Sequence, residues 1–580
     1  MDIAIIIIYL AAMLAFGWWG KTRTKNSSDF LVAGRRLGPM LYTGTMAAVV
    51  LGGASTVGGV GLGYKYGISG MWLVVSIAVG VLALSLIFAG RIQKLKVYTV
   101  AQMLNLRYGV HATTSSGIVM MAYTLMLSVT STIAYATIFN VLFNADRTLS
   151  VIIGGAIVMA YSSIGGMWSI TLTDMVQFVL KTIGVFFLLL PFTWNHAGGY
   201  QGIVDRLGAT AFDIGAIGID TIITFFVIYT FGMLIGQDIW QRVFTARSPQ
   251  VAKWGGTAAG IYCLLYGVAG ALIGTAAASF LPSIENSDDV YAAITEQILP
   301  VGISGLVLAA AVAAMMSTAS GALIATATVA RADVMPLVMR LFGKTAAPIS
   351  VAPISVAPNS AAPNSADTNT AAPISVAPIS VAPISVAPIS VAPNSAAPNR
   401  ADTNPQHDVR MNRLYVVVLG IFVIVIATAL NDVVAALTIA YDILVGGLLV
   451  PILGGFWWKR ATGIGALWAM GVGTIVTLGT MFVVGDLLAN EPIYFGLASA
   501  LVAYVVASLL TKPTPANVLK IWTDRLAGGA ATDAAAPAAA ESAASAPAAS
   551  VGSAASVGSA ASVGSAASVG SAASDSSKMP

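Results

Sequence analysis

The run Ala-Ala-Met-Met-Ser-Thr at residues 313–318 ends in two adjacent hydroxyls, Ser317 and Thr318, inside a long apolar stretch. The carbonyl of Ala314 lies one turn back. Sodium, like other hard cations, is held by oxygen ligands, and hydroxyls with free carbonyls can supply them. A plainer use is also open, because Ser and Thr hydroxyls bond the carbonyl one turn earlier in any membrane helix. Another apolar stretch is crowded with glycine, from Gly44 through Gly52, Gly53, Gly58, Gly59 and Gly61 to Gly63. Close packing of membrane helices accounts for some of these. The Gly52-Gly53 pair, halfway along, better suits a helix that unwinds at mid-membrane and turns its carbonyls toward a cation.

A charge inside such a stretch costs about 3 kcal/mol or more, so each one implies a role. Lys181 follows Asp174 by two helical turns and on roughly the same face. Its ammonium could neutralise an anionic solute, or substitute for a bound ion in a proton-coupled cycle. An internal Lys–Asp pair, or snorkelling to the cytoplasmic face, would be structural uses. Asp442, near the middle of another stretch, poses the same choice, and Asp238 near Arg242 is expected to form a structural ion pair. No nucleophile–base arrangement exists, and His111, His196 and His407 fall in loops or at helix ends. An enzyme is therefore not expected, and no catalytic residue is assigned. The one cysteine, Cys263, excludes an internal disulfide, and no Cys/His cluster offers a metal site.

Composition dictates the elements that must position these residues. Of 580 residues, 57% are hydrophobic and only 9% charged, with a mean hydropathy of +0.85. Soluble proteins carry roughly a quarter charged residues, so lipid must be the solvent. Unpaired backbone groups in lipid cost several kcal/mol, which forces the apolar runs into helices. The expected class is an all-α membrane protein of about 13 transmembrane helices, near 2–20, 39–65, 68–90, 112–141, 148–167, 170–192, 219–238, 255–280, 302–332, 411–430, 432–456, 462–485 and 492–511. The first run lacks the basic flank and cleavage site of a signal peptide and is kept as a helix. Basic residues cluster in alternate loops, at Lys21 to Arg36, Arg91 to Arg107, Arg242 to Lys253 and Lys459-Arg460, whereas Lys65, Arg147 and Arg206 are alone on the other side. The positive-inside rule then puts the N-terminus outside and the C-terminus in the cytoplasm, in the cell's inner (plasma) membrane.

Helices one to nine are expected within 1–345 and helices ten to thirteen within 409–511. Between them, 346–408 forms a loop with repeats of Ala-Pro-Ile-Ser-Val, too proline-dense for helix or strand. Residues 512–580 form a cytoplasmic tail, of low complexity from about 528, with too little bulk to bury a core.

Six stretches in order resemble the sodium/solute symporter family, which includes sodium/proline, sodium/galactose and sodium/pantothenate transporters. They are Asp29-Phe30-Leu31-Val32-Ala33-Gly34-Arg35-Arg36, Gly58 to Tyr64, Gly165-Gly166 with Thr173-Asp174-Met175-Val176-Gln177, Gly236-Gln237-Asp238 with Gln241-Arg242, the 313–318 run, and Gly455 to Thr462. The resemblance runs from about residue 5 to 510, without the proline-rich insert. It implies a LeuT-like 5+5 inverted-repeat core made of helices two to six and seven to eleven. It also implies a sodium site at the carbonyls of Ala48, Leu51 and Ala314 and the hydroxyls of Ser317 and Thr318. Asp174 matches an aspartate on the family's ion exit path, although a carboxylate near a helix N-terminus is also favoured by the dipole.

The departures narrow the solute. Sugar-transporting members have polar side chains where this chain has Ser55, Val74 and Ile77, and an aromatic gate where it has Gly232. A sugar would leave hydroxyls unpaired there. Val50 and Ala54 replace an aspartate and a tryptophan of the proline carriers. Ala54, Ser55 and Thr56, with Tyr229, are expected to contact the solute.

The function expected is sodium-coupled symport of a small organic solute by alternating access, a short carboxylate or a pantothenate-like acid being favoured. The partners are then that solute, a sodium ion as the coupling ion and the lipid bilayer, with no nucleic acid and no other cofactor. Proton coupling through Lys181 or Asp442, or a solute sensor on the same fold, are the alternatives.

Overall fold

A computed structural model of the chain describes residues 1–143, 146–342, 405–430, 432–485 and 489–528. Eleven helices among them are long and apolar enough to cross a membrane, or twelve if the bent pair Ile219–Ile235 and Gln237–Thr245 is one span. One of the eleven, Ala54–Lys94, has 41 residues, about 60 Å of helix and twice the hydrocarbon thickness. It doubles back at Gly67, whose φ of +62° suits glycine. Beyond this turn Gly70 lies against the backbone of Leu62, and Val74 against Gly59. The stretch thus makes two passes, and its first part completes an interrupted one that begins with Pro39–Val50. All thirteen expected helices have their counterpart on this reading.

Two passes are broken, the second at Leu51–Gly53 and the seventh at Gly236, where its halves meet at 42°. They stand five passes apart, at the positions that open the two expected five-helix repeats. The ninth pass, Ile303–Val329, is the buried axis of the bundle. Its alanines, from Ala309 to Ala314, let neighbours approach closely. The last two passes, Gly463–Val484 and Glu491–Leu510, pack on each other and present mostly apolar, outward faces, as lipid-facing helices must.

Two expectations about boundaries change. The tenth pass begins at Pro405, inside the expected loop, and an Arg331–Asp408 ion pair of 2.7 Å ties its start to the end of the ninth. Within the expected tail, Ala516–Ala527 is a helix whose Trp522 is buried, 5.5 Å from the Phe456 ring. Its apolar side makes it part of the folded core. The repeats of 346–404 and the tail beyond 528 lie outside the described residues.

Candidate ion cage and solute pocket

A helix that stops in mid-membrane leaves its last carbonyls without amide partners, and no bulk water is there to receive them. The half-helix Pro39–Val50 ends this way, with Leu51 in a non-helical conformation. Side chains satisfy each orphan in turn. Ser317 Oγ donates to Ala48 O at 2.7 Å, and Thr318 Oγ1 to Val49 O at 2.6 Å. Ser55 Oγ reaches Val50 O at 3.4 Å. Ser317 also lies 2.8 Å from Ala314 O, the bond within its own helix, whereas the bond recorded for Thr318 crosses to the other helix. Gly52 makes this approach possible, because a methyl there would fall 2.5 Å from Thr318 Oγ1.

The remaining donor is Lys181. Its Nζ donates to Ala48 O at 2.9 Å and to Leu51 O at 3.1 Å, with Ser317 Oγ at 3.5 Å. The side chain is fully buried. The five residues expected around sodium are therefore assembled between the second and ninth passes, and an ammonium group from the sixth pass stands among them. This is neither an internal Lys–Asp pair nor snorkelling. The C-terminal end of the half-helix adds its negative dipole end to the carbonyls that hold the charge.

Asp174 lies two turns from Lys181 and carries a different partner. Its Oδ2 accepts from Arg242 Nη2 at 3.2 Å and from Thr45 Oγ1, and both charged side chains are fully buried. Arg242 was expected to pair with Asp238. Instead, Asp238 Oδ1 accepts from Tyr123 OH at 2.9 Å. The short helix Gln237–Thr245 is buried on every side, so its two charged residues face different neighbours. Asp442 is fully buried, and its carboxylate has no hydrogen-bond partner among the described residues.

Beside the cage lies a cavity with a volume of about 20 Å³, roughly the room for one water. Val49, Val50, Gly52, Gly53, Ala54 and Ser55 form its wall on the second pass; Thr318, Leu127, Thr130, Ser131, Met233, Asp238, Leu437 and Tyr441 also line it, together with Ile77. Of the four expected contacts, Ala54 and Ser55 are there. Thr56 turns away to Tyr266 OH at 3.0 Å, and Tyr229 to Thr438 Oγ1 at 3.1 Å. Tyr229 supports the cavity indirectly, packing edge-on against Tyr441 at 5.4 Å. Tyr441 also fills the space that Gly232 leaves, since a methyl at Gly232 would fall 2.1 Å from its ring. An aromatic group is thus supplied by the eleventh pass where the seventh has none. Thr130 and Ser131 were not expected, although the hydroxyl run Ser128 to Thr132, broken only by Val129, was a visible signal.

Known proteins are similar to this chain in architecture and, more distantly, in sequence. The sialic acid symporter structure described as a substrate-bound outward-open, Na+-coupled state superposes with a TM-score of 0.70 at 18% identity, covering 89% of this chain and 98% of the other. The nucleobase-cation symporter Mhp1 in a closed conformation gives 0.52 at 14% identity, covering 87% and 99%. These likenesses establish a LeuT-like fold. In sequence, the osmoregulated proline transporter OpuE of Bacillus subtilis (strain 168) is 26% identical over 358 residues, 57% of this chain and 71% of that protein. The high affinity choline transporter 1 of Homo sapiens is 25% identical over 368 residues, 58% and 62%. The sodium/glucose cotransporter of Vibrio parahaemolyticus is 24% identical over 378 residues, 58% and 68%. The model of the sodium:solute symporter family matches residues 30–347, more than half of the chain. This chain, a multi-pass membrane transporter and not an enzyme, belongs to the sodium:solute symporter family.

Proposed function

We propose that the protein takes up a small organic solute by alternating access, driven by a cation gradient. The observation that carries this reading is the interrupted second pass, whose end carbonyls meet the Ser317 and Thr318 hydroxyls directly beside a cavity, an oxygen cluster suited to a cation. A cavity of one water's volume cannot admit a solute until its walls part, so binding and helix movement are linked. One inward positive charge at 100 mV contributes about 2.3 kcal/mol, or roughly fiftyfold accumulation. Sodium is the coupling ion that family membership favours. A proton is the second reading, favoured by the Lys181 ammonium among the cage oxygens.

The cavity lining also bears on the solute. Asp238 is the charged residue there, and the Lys181 ammonium is spent on carbonyls. A carboxylate solute would meet a like charge, so we favour a solute presenting an ammonium or other donor group, with a small apolar body against Val50, Ile77 and Leu437. Tyr441 adds an aromatic wall suited to a cation. The test is uptake of radiolabelled proline, choline, propionate and pantothenate into proteoliposomes, under a sodium gradient or a proton gradient alone. Uptake of a cationic or zwitterionic probe, lost by tenfold or more in Asp238→Asn, is the expected result. Uptake of propionate or pantothenate that survives Asp238→Asn would reject this solute class.

A further inference from the structure

We infer that Lys181 is a tethered cation that takes the place of sodium in the cage, so that this cage selects against sodium while the lysine is present. The inference rests on the reading of the protein as a cation-coupled transporter and deepens it, by naming which cation these oxygens hold. Three of the five expected sodium-ligand atoms, Ala48 O, Leu51 O and Ser317 Oγ, are within 3.5 Å of Lys181 Nζ. The other two lie beside them, with Ala314 O 2.8 Å from Ser317 Oγ and Thr318 Oγ1 bonded to the adjoining carbonyl of Val49.

The carbonyls require a positive or donating partner, because the helix break denies them amides and they are buried. An ammonium with three donors meets that requirement at ordinary N–H···O distances. A sodium ion could meet it as well, though not at the same time, since two cations would share the same oxygens. The lysine has the advantage of attachment: its effective concentration at the cage is set by a four-carbon stem rather than by the bathing salt. No carboxylate lies within 4 Å of Lys181 among the described residues, Asp174 being paired with Arg242. The carbonyl cage itself is thus the partner that keeps this ammonium in the membrane interior.

Removing the ammonium should free the cage for an alkali ion. The test reads ion binding by purified, detergent-solubilised protein, through thermal midpoints in sodium chloride against equimolar choline chloride. It can therefore fail while solute uptake stands, and uptake can fail while it stands. Lys181→Ala should gain a sodium-specific rise of roughly 3 °C at saturating salt, and adding Ser317→Ala and Thr318→Ala should abolish it. Lys181→Met, which keeps most of the side-chain volume, should gain a smaller rise in the same direction and guards against a misfolded Ala variant. In the wild type, Ser317→Ala should leave any response to sodium unchanged. A wild-type sodium response that Ser317→Ala removes would overturn the inference, as would folded Ala and Met variants without a sodium response.

Discussion

At the scale of single residues, two of the buried charges form an ion pair and a third, Lys181, is held by carbonyls. Asp174 and Arg242 neutralise each other 3.2 Å apart, with Thr45 donating to the same carboxylate oxygen. Removing one member leaves the other charged and unpaired in a buried site, at a cost of about 3–5 kcal/mol. Asp174→Ala should therefore lower the thermal midpoint markedly, and the double variant Asp174→Leu/Arg242→Met should recover most of the loss. A single variant as stable as the wild type would show that the pair does not hold these passes together. The individual charged residues were conspicuous in the sequence, but their pairing was not. Asp238 and Arg242 stand at a spacing that favours pairing on an exposed helix. Arg242 instead reaches a partner 68 residues away, because the helix that carries it is buried on all sides.

At the scale of elements, most of the architecture was legible because lipid leaves the backbone only one solution. Runs of about twenty apolar residues become helices whatever their neighbours. The break at Gly52-Gly53 was legible too, since glycine pairs are costly in an unbroken helix. The bend at Gly236 carried a single glycine and gave no comparable signal. The cavity walls contributed by Thr130, Ser131 and Tyr441 come from passes four and eleven, distant in sequence from Gly52. The fit at the break makes its own prediction. A side chain at residue 52 would drive the ninth pass away from the cage, since even a methyl would meet Thr318 Cβ at 2.8 Å. Gly52→Val should reduce uptake by tenfold or more, from overpacking alone, while Thr318→Ala in the same chain should not rescue it, because the Cβ remains. Full uptake by Gly52→Val would mean that the break does not sit against the ninth pass.

At the scale of the whole molecule, the basic loops meet at one end of the bundle. Arg35 Nη2 donates to the carbonyls of Lys96 and Val97 at 2.9 Å, and Arg107 Nη2 to that of Trp458 at 3.1 Å. The helix Ala516–Ala527 docks at the same end, with Lys94 Nζ donating to Ala527 O at 3.1 Å. We propose that this end is cytoplasmic, as the positive-inside rule requires. With Cys263 replaced by alanine, a cysteine at Lys459 should then be unreactive toward an impermeant maleimide in intact cells and reactive in inside-out vesicles. The opposite pattern would invert the orientation.

The most direct test of the cage is uptake of the best of the four probes by a Ser317→Ala/Thr318→Ala variant in proteoliposomes. With folding verified by size exclusion, the rate should fall roughly tenfold or more, the equivalent of leaving a buried carbonyl unpaired. An unchanged rate and ion dependence would contradict the assignment of this cage to transport.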